Sequence, residues 1–485
     1  MQQISAYFRQ FGRFQPNARL YLLSNALSGV SAGIFLVLYN LYLTSLGFKA
    51  DFVGLTLFVG TVGAGLAIFP AGVCIDRWSG KRILIISSLA IGLAGIGAIL
   101  FRQPGPLLVC AFFTGIAAAF VLVINAPFLL RNSVPAERNS LFSLNIALTQ
   151  ITAVLGEILG GSLPGWFARS SLWIHALPPW LNWLLDSHPE ARSYQLAMLV
   201  AGLISIPSFI PLFLLTNDRP QRAPASHDRT SGQSRLPWRE WLVSARKWTR
   251  PEALRVIWVS PFFALVMVYL LTGLGAGLVV PYFNLFFVRH LHASPALFGL
   301  IDGAANGLTA LTTLCAPWLA RRVGRVNSIA LTRLASLPLL IAIGFSGSLY
   351  LTAGLYPLRE GLMDMSNGVL AVFSLEEVPE PHRGLANSVY SAISQAAPSI
   401  TTPLAGLVIV AAGYPPLFLC TLVFYLAAIA LLWGRFGGKR GQLAEQTDTS
   451  LHAHRKDAPP DPPGSNGDEN RIPTLQVDTS PVRDQ

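Results

Sequence analysis

Twelve runs of mostly apolar residues follow one another along the chain, at 20–46, 53–73, 83–101, 106–130, 140–166, 193–216, 257–288, 295–318, 326–345, 348–373, 384–412 and 415–434. Crossing a hydrocarbon core as a helix takes about 20 such residues, and strands of a membrane barrel are about half as long and alternate with period two. The runs are rich in Gly, Ala, Ser and Thr, which let membrane helices approach closely. The pattern therefore predicts an all-α membrane protein of twelve transmembrane helices. The first, fifth, seventh and eleventh runs exceed the minimum, which predicts tilt or kinks.

Polar stretches separate the runs, and their bases set an orientation. With the N-terminus inside, 28 Lys and Arg fall on the inner side and 5 on the outer side. Without the long central segment and the tail the split is still 12 against 5. The positive-inside rule then puts both termini in the cytoplasm of a multi-pass plasma-membrane protein. The expected organisation is a cytoplasmic segment 1–19, a six-helix bundle 20–216, a linker 217–256, a second six-helix bundle 257–434 and a disordered tail 435–485. In the linker, "LPWREWLVSARKWTRPEALR" alternates Trp238, Trp241, Leu242 and Trp248 with bases, which suits a helix lying on an anionic leaflet. A calmodulin-like partner would fit the same face. Residues 168–192, with Trp173, Trp180 and Trp183, read as an outer loop in the aromatic belt.

Composition agrees with this class: 52% of residues are hydrophobic and 12% charged, where soluble domains carry about 25% charge. The net charge of +11 is a topology signal here and not a nucleic-acid footprint. Cys74, Cys110, Cys315 and Cys420 lie far apart in apolar runs, so neither a metal site nor a disulfide framework is expected. No phosphate-binding loop for ATP occurs, no cofactor is implied, and no clustered catalytic set suggests an enzyme. "GVSAG" at 29–33 fits a hydrolase elbow pattern, but it lies inside a membrane run and reads as small-residue packing.

The two halves repeat each other. "VPAERNSLFSLNIALTQ" at 134–150 parallels "VPEPHRGLANSVYSAISQ" at 378–395, with Ser143 and Gln150 at the same offsets from Arg138 as Ser388 and Gln395 from Arg383. "VLYNLYL" with Asn40 matches "PYFNLFF" with Asn284, each near the outer end of its half's first helix. An even number of spans per half makes the repeats parallel, a design common in secondary transporters with a site between the halves.

Between the second and third runs stands "GVCIDRWSGKRILI", 72–85, a compact knot of charge. With the topology and the repeat, it makes the chain resemble the major facilitator superfamily over roughly 20–434. That family's signature runs G-x-x-x-D-R-x-G-R-R. Gly72, Asp76 and Arg77 keep the spacing, and one extra residue precedes Gly80, Lys81 and Arg82. By pattern alone the knot also fits a positive-inside stop. The resemblance implies a latch: Gly72 allows close helix contact, and Asp76 helps bridge the halves when the outside is open. A worn second copy, "PWLARRVGR", keeps Gly324 and Arg325 but has Arg321 where the acid should be. In the fifth run "GEILGG" partly matches a motif of the family's exporters, with Glu157 in place of a proline.

Charges inside the runs are costly and mark pathways or buried pairs. Six occur: Glu157, Asp302, Arg333, Arg359, Glu360 and Asp364. Depth counting matches Asp302 with Arg359 and Arg333 with Asp364, so two structural ion pairs are one expectation. Glu360, Asp364 and Asn367 fall on one helical face, which makes Glu360 a candidate proton carrier. Asn40, Glu157, Asn284, Asp302, Arg359, Glu360 and Asp364 are thus the expected substrate or proton pathway. The expected function is alternating-access transport of a small solute by a monomer in contact with membrane lipids. Proton coupling is expected, with efflux favoured over uptake. A non-transporting receptor or scaffold on the same fold and a nutrient uptake symporter are the alternatives.

Overall fold

The computed structural model describes residues 14–134, 137–170, 184–216, 260–380 and 383–437. The expectations for Trp173, Trp180 and Trp183, for the linker 217–256 and for the tail beyond 437 fall outside the described residues. The described chain is helical: α1 (Pro16–Ser45), α2 (Ala50–Arg77), α3 (Gly80–Leu100), α4 (Pro104–Arg131), α5 (Arg138–Arg169) and α6 (Pro189–Leu214) form the first half. The second half contains α7 (Pro261–Val279), α8 (Pro295–Val323), α9 (Arg325–Phe345), α10 (Leu349–Asp364), α11 (Asn367–Glu376), α12 (Arg383–Ala412) and α13 (Pro415–Phe436).

The short polar stretches supply the helix starts. Proline occupies the first turn of α1, α4, α6, α7, α8 and α13, where its missing N–H leaves no bond unmade. Ser79, Ser260, Ser294 and Ser348 cap α3, α7, α8 and α10 through their hydroxyls.

Ten of the described helices are long and apolar enough to cross a membrane. The eighth predicted run falls below that measure because of its polar residues, and the tenth because it is broken into two helices of 16 and 10 residues. Helix α8 carries Asp302, Arg321 and Arg322, and the tenth run carries Arg359, Glu360 and Asp364. The tenth run was expected as one helix; the structure breaks it at Met365–Ser366 into α10 and α11. Asp364, Ser366 and Asn367 can bond locally to nearby groups and so compete with the helix ladder, and Gly368 weakens it further.

The seventh run is also irregular, passing after α7 through a 3-10 turn (Val280–Tyr282) and a short α segment to a π turn (Phe286–His290). Pro281 cannot donate to the Gly277 carbonyl; the Thr402 hydroxyl on α12 does so instead, at 3.1 Å. In lipid no water is at hand to make that repair.

The end of the bundle where α1 begins is called here the near face, and the end where it finishes the far face. Within the first half α1 packs on α5 and α6, α2 on α4, and α3 on α4 and α6. The second half repeats this: α7 packs on α12 and α13, α8 on α10, and α9 on α10 and α13. The halves meet where α2 crosses α12 and α5 crosses α8. Large apolar side chains such as Leu93, Leu314 and Val423 stand exposed, as residues facing acyl chains do.

Three cores divide the interior, and their placement is unequal. One core draws on both halves and lies mostly toward the far face, from Val37 and Leu41 of α1 to Tyr282, Phe286 and Phe298 of the second half. Toward the near face there are two cores instead. One holds Tyr21, Ile75, Leu84, Phe128 and Leu212 of the first half, and the other Leu265, Ile329, Phe373, Tyr390 and Leu432 of the second. The halves are thus fused at the far end and packed separately at the near end.

Apolar burial drives helices together weakly in lipid, so close packing carries the association. "GVSAG" in α1 and "GEILGG" in α5 show it from both sides of one crossing. A Cβ on Gly33 would stand 2.1 Å from the Ala153 carbonyl oxygen, and one on Gly156 2.1 Å from that of Val30. Gly65 has nothing within 4 Å. Gly33→Val should therefore lower the melting temperature of the detergent-purified protein by several degrees, an overpacking cost of about 1–3 kcal/mol. Gly65→Ala should leave it unchanged or raise it slightly, both read by tryptophan fluorescence on heating.

Candidate functional site

Polar side chains inside the bundle gather in two places. The first is the charged seam of the second half. Arg359 is 1% exposed, and its guanidinium pairs with Glu360, the next residue along α10. Its other edge reaches the Tyr425 hydroxyl at 3.4 Å, and it lies 5.7 Å from the centre of the Phe283 ring. Asp302 on α8 accepts a 2.8 Å hydrogen bond from the Tyr356 hydroxyl. The expected Asp302–Arg359 pair is therefore not formed. Glu360 sits closer along the chain, and Tyr356, one turn before Glu360, takes Asp302 instead.

The second expected pair is also replaced. Arg333, 3% exposed, donates to Asn367 Oδ1 at 3.0 Å, Thr272 Oγ1 at 3.2 Å and Ser366 Oγ at 3.3 Å. Asp364 accepts from Asn367 Nδ2 at 3.0 Å. The side-chain amide of Asn367 thus stands between base and acid. It can do so because the chain turns at Met365–Ser366, which takes Asn367 off the regular face it was expected to share with Glu360 and Asp364.

The second place is the seam between the halves. Glu157 on α5 is 2% exposed. Both its carboxylate oxygens accept from Asn306 Nδ2 on α8, at 3.3 and 3.1 Å. Asp302, one turn before Asn306, is its electrostatic neighbour. Gly161 and Gly299 make this crossing possible, since a Cβ on either would stand 2.4 Å from a backbone oxygen of the other half. Beyond it, Asn40 Nδ2 donates to the Pro281 carbonyl at 2.8 Å and to Asn284 Oδ1 at 3.3 Å.

Beyond the charged groups, sequence reasoning singled out Asn40, Asn284 and Asn367 but missed the other neutral partners. Asn306, Tyr356, Tyr425, Thr272 and Ser366 hold the charges, and a chain of asparagines fills the first half. Asn25 donates to Asn145 at 2.8 Å, Asn145 to Asn125 at 3.4 Å, and the Tyr21 hydroxyl to Asn125 at 3.0 Å. Asn17 bonds Asn132 at 2.9 Å. The signal was available, because asparagine inside an apolar run is itself expensive.

At the near face the charged knot ends α2 and starts α3. The extra residue in "WS" has a local use: Ser79 accepts from the Arg82 N–H as the cap of α3. Lys81 turns back within its own half and donates to the Phe213 and Leu215 carbonyls, both at 2.6 Å, at the C-terminus of α6. Gly80 is buried, and Arg77 and Arg82 are exposed. Gly72 has no atom within 4 Å of a would-be Cβ, so in this conformation it makes no close helix contact. The backbone of Asp76 lies in the last turn of α2; its side chain lies outside the described residues. In the worn second copy Gly324 has φ of 86°, which glycine tolerates, and Arg325 pairs with Glu376 of α11.

No group of three or more His, Cys, Asp or Glu suited to a metal ion occurs among the described residues. No curated protein matches the sequence. Solved structures do match in fold. A bacterial homologue of the human lysosomal transporter Spinster is 15% identical with a TM-score of 0.66, over 86% of this chain and 96% of that one. The nucleoside transporter NupG is 14% identical with a TM-score of 0.60, over 86% and 98%. A D-xylose–proton symporter is 14% identical with a TM-score of 0.59, over 86% and 97%. The sequence model of the Major Facilitator Superfamily matches residues 21–358 and 265–463. The chain belongs to the Major Facilitator Superfamily of membrane transport proteins.

Proposed function

We propose that this transporter moves its solute by alternating access and couples that movement to protons, with the near face in the cytoplasm of a plasma-membrane protein. The observation that carries the reading is the unequal core: one far-end core shared by both halves, and two near-end cores that each half keeps to itself. Such an arrangement suits a carrier open toward the near face, able to close there as the far core parts. The open space beside Gly72 fits the same state, with the near-face latch released. Outward movement of solute against inward movement of protons is the direction proposed, on the apolar first, fourth and seventh helices.

For the proton step the geometry favours Glu157 over Glu360. Glu360 is held by Arg359 of its own helix, so rocking of the halves leaves its partner in place. Glu157 reaches from one half to Asn306 of the other, one turn from Asp302 on the same helix. Any change in the crossing of α5 and α8 changes its surroundings, which is what coupling of proton binding to conformation requires.

A thermal-shift screen of the purified protein against sugars, amino acids, organic anions and lipophilic cations should give a hit, from which a flux assay in proteoliposomes follows. Absence of solute-dependent flux for every stabilising solute would favour a receptor or scaffold. With a transported solute in hand, Glu157→Gln should abolish proton-driven accumulation and keep exchange, while Glu360→Gln, which strands the buried Arg359 and lowers the yield of folded protein, should keep both in the protein recovered. Accumulation by Glu157→Gln would remove it as the carrier. Arg359→Gln leaves the partly buried Glu360 without its cation and should cut the yield of folded protein. For orientation, an impermeant maleimide added outside cells should label cysteine at Gln103 on the far face and not at Arg322 on the near face. The reverse pattern would invert the assignment.

A further inference from the structure

Asn40 and Asn284 occupy matching places in the two repeats, and the structure brings them into contact. Asn40 Nδ2 donates to the carbonyl of Pro281, three residues before Asn284, at 2.8 Å. Asn284 Nδ2 donates to the carbonyl of Val37, three residues before Asn40, at 3.3 Å. The two amides also meet directly, Asn40 Nδ2 to Asn284 Oδ1 at 3.3 Å. Each asparagine thus grips the other's helix at the same offset, a reciprocal contact about the axis that relates the halves.

The irregular end of the seventh span allows this. In a regular α-helix the Leu285 N–H would bond to the Pro281 carbonyl. Here the chain passes from a 3-10 to a π turn, and Leu285 N–H meets Asn284 Oδ1 at 2.8 Å. The Pro281 carbonyl is then available to the other half. π turns of this kind concentrate at functional sites.

We propose that Asn40 and Asn284 are the far-side gate of the transport cycle: a matched pair, one from each repeat, whose mutual grip holds the far end closed and must part before it opens. The inference rests on the alternating-access reading above. It replaces the expectation that these residues line a pathway. Both are buried, at 7% and 5% exposure, and each side-chain amide donates to the other's helix. An amide also has no proton to carry at ordinary pH. Around the pair lie contacts that would part with it. Tyr282 donates to the Thr402 carbonyl at 2.7 Å and reaches that of Ala50 at 3.4 Å. Arg289 bonds Thr44 at 3.2 Å and pairs with Glu190 at 2.7 Å. Gly54 and Gly406 leave the room for α2, α12 and the seventh span to meet beside them: a Cβ on Gly54 would stand 2.2 Å from the Tyr282 hydroxyl, and one on Gly406 2.4 Å from the Ala50 carbonyl oxygen.

The test reads the far-end opening itself. Spin labels go on cysteines at Gln103 and Tyr350, exposed far-end positions in opposite halves, with Cys74, Cys110, Cys315 and Cys420 changed to serine. Distances are measured by pulsed electron resonance in proteoliposomes. Asn40→Leu and Asn284→Leu keep the size of the side chain and remove its donors. Each should raise the ratio of long to short distances on the order of tenfold. The double variant should exceed either single one but fall short of their sum, because each asparagine holds a carbonyl of its own while the direct amide contact is lost only once. Either single variant suffices if the other is not recovered folded. Distributions unchanged from wild type, or fully additive shifts, would overturn the gate. A shift in the variants of a protein that transports nothing would keep the gate and sink the transport reading, so the two failures are distinct.

Discussion

The constraint on which the rest depends is that a backbone in hydrocarbon must find every partner within the protein. It forces the chain into helices and makes each departure from a helix traceable to a side chain. The turn at Pro281 exists because Thr402 reaches across from α12. The break at Met365–Ser366 is set among Ser366, Asn367 and Arg333, which bond to one another. These two departures lie in the first and fourth spans of the second half. The corresponding spans of the first half, α1 and α4, are continuous. The repeats share a packing plan, then, but only one of them spends its regularity on polar function.

The charges follow the same division. Of the six ionic groups inside the runs, Glu157 alone belongs to the first half, whose polar interior is otherwise a chain of asparagine amides. Apart from the Arg359–Glu360 pair, the second half holds its charges with neutral neighbours: a tyrosine for Asp302, an asparagine between Arg333 and Asp364. Neutral partners exact less geometric precision than ion pairs and leave a charge able to change company. Only at the crossing of α5 and α8 do the two styles meet.

Much of the fold was legible in the sequence, because hydrophobic run length and the parallel repeat are both one-dimensional signals. Ten of the twelve runs as membrane-length apolar helices, the Asn40–Asn284 correspondence and the close packing of "GVSAG" appear in the structure. Side-chain pairing was not legible. Depth counting put Arg359 beside Asp302 because it tracks height and not azimuth, and it had no means of seeing that Glu360 or Tyr356 would intervene. Likewise Lys81 was read as part of a latch, yet it bonds carbonyls at the end of α6, over a hundred residues away in sequence. Partners that are backbone carbonyls leave no mark in a residue string.

The unequal cores also bear on how the molecule is made. Each near-end core is assembled from residues of one half alone, so the first can consolidate while the second half is still being synthesised. The far core cannot. Its hydrogen bonds join residues 241 to 247 positions apart, from α1 to the end of the seventh span. Closing so long a loop is the slow, non-local part of folding, and it must wait until the seventh span has entered the bilayer. During that interval α1 carries Asn40 without its partner, in the half of the protein that is otherwise complete. A quality-control system that monitors unsatisfied polar groups in membrane helices would find its clearest signal there, and would lose it at the moment the two repeats first meet.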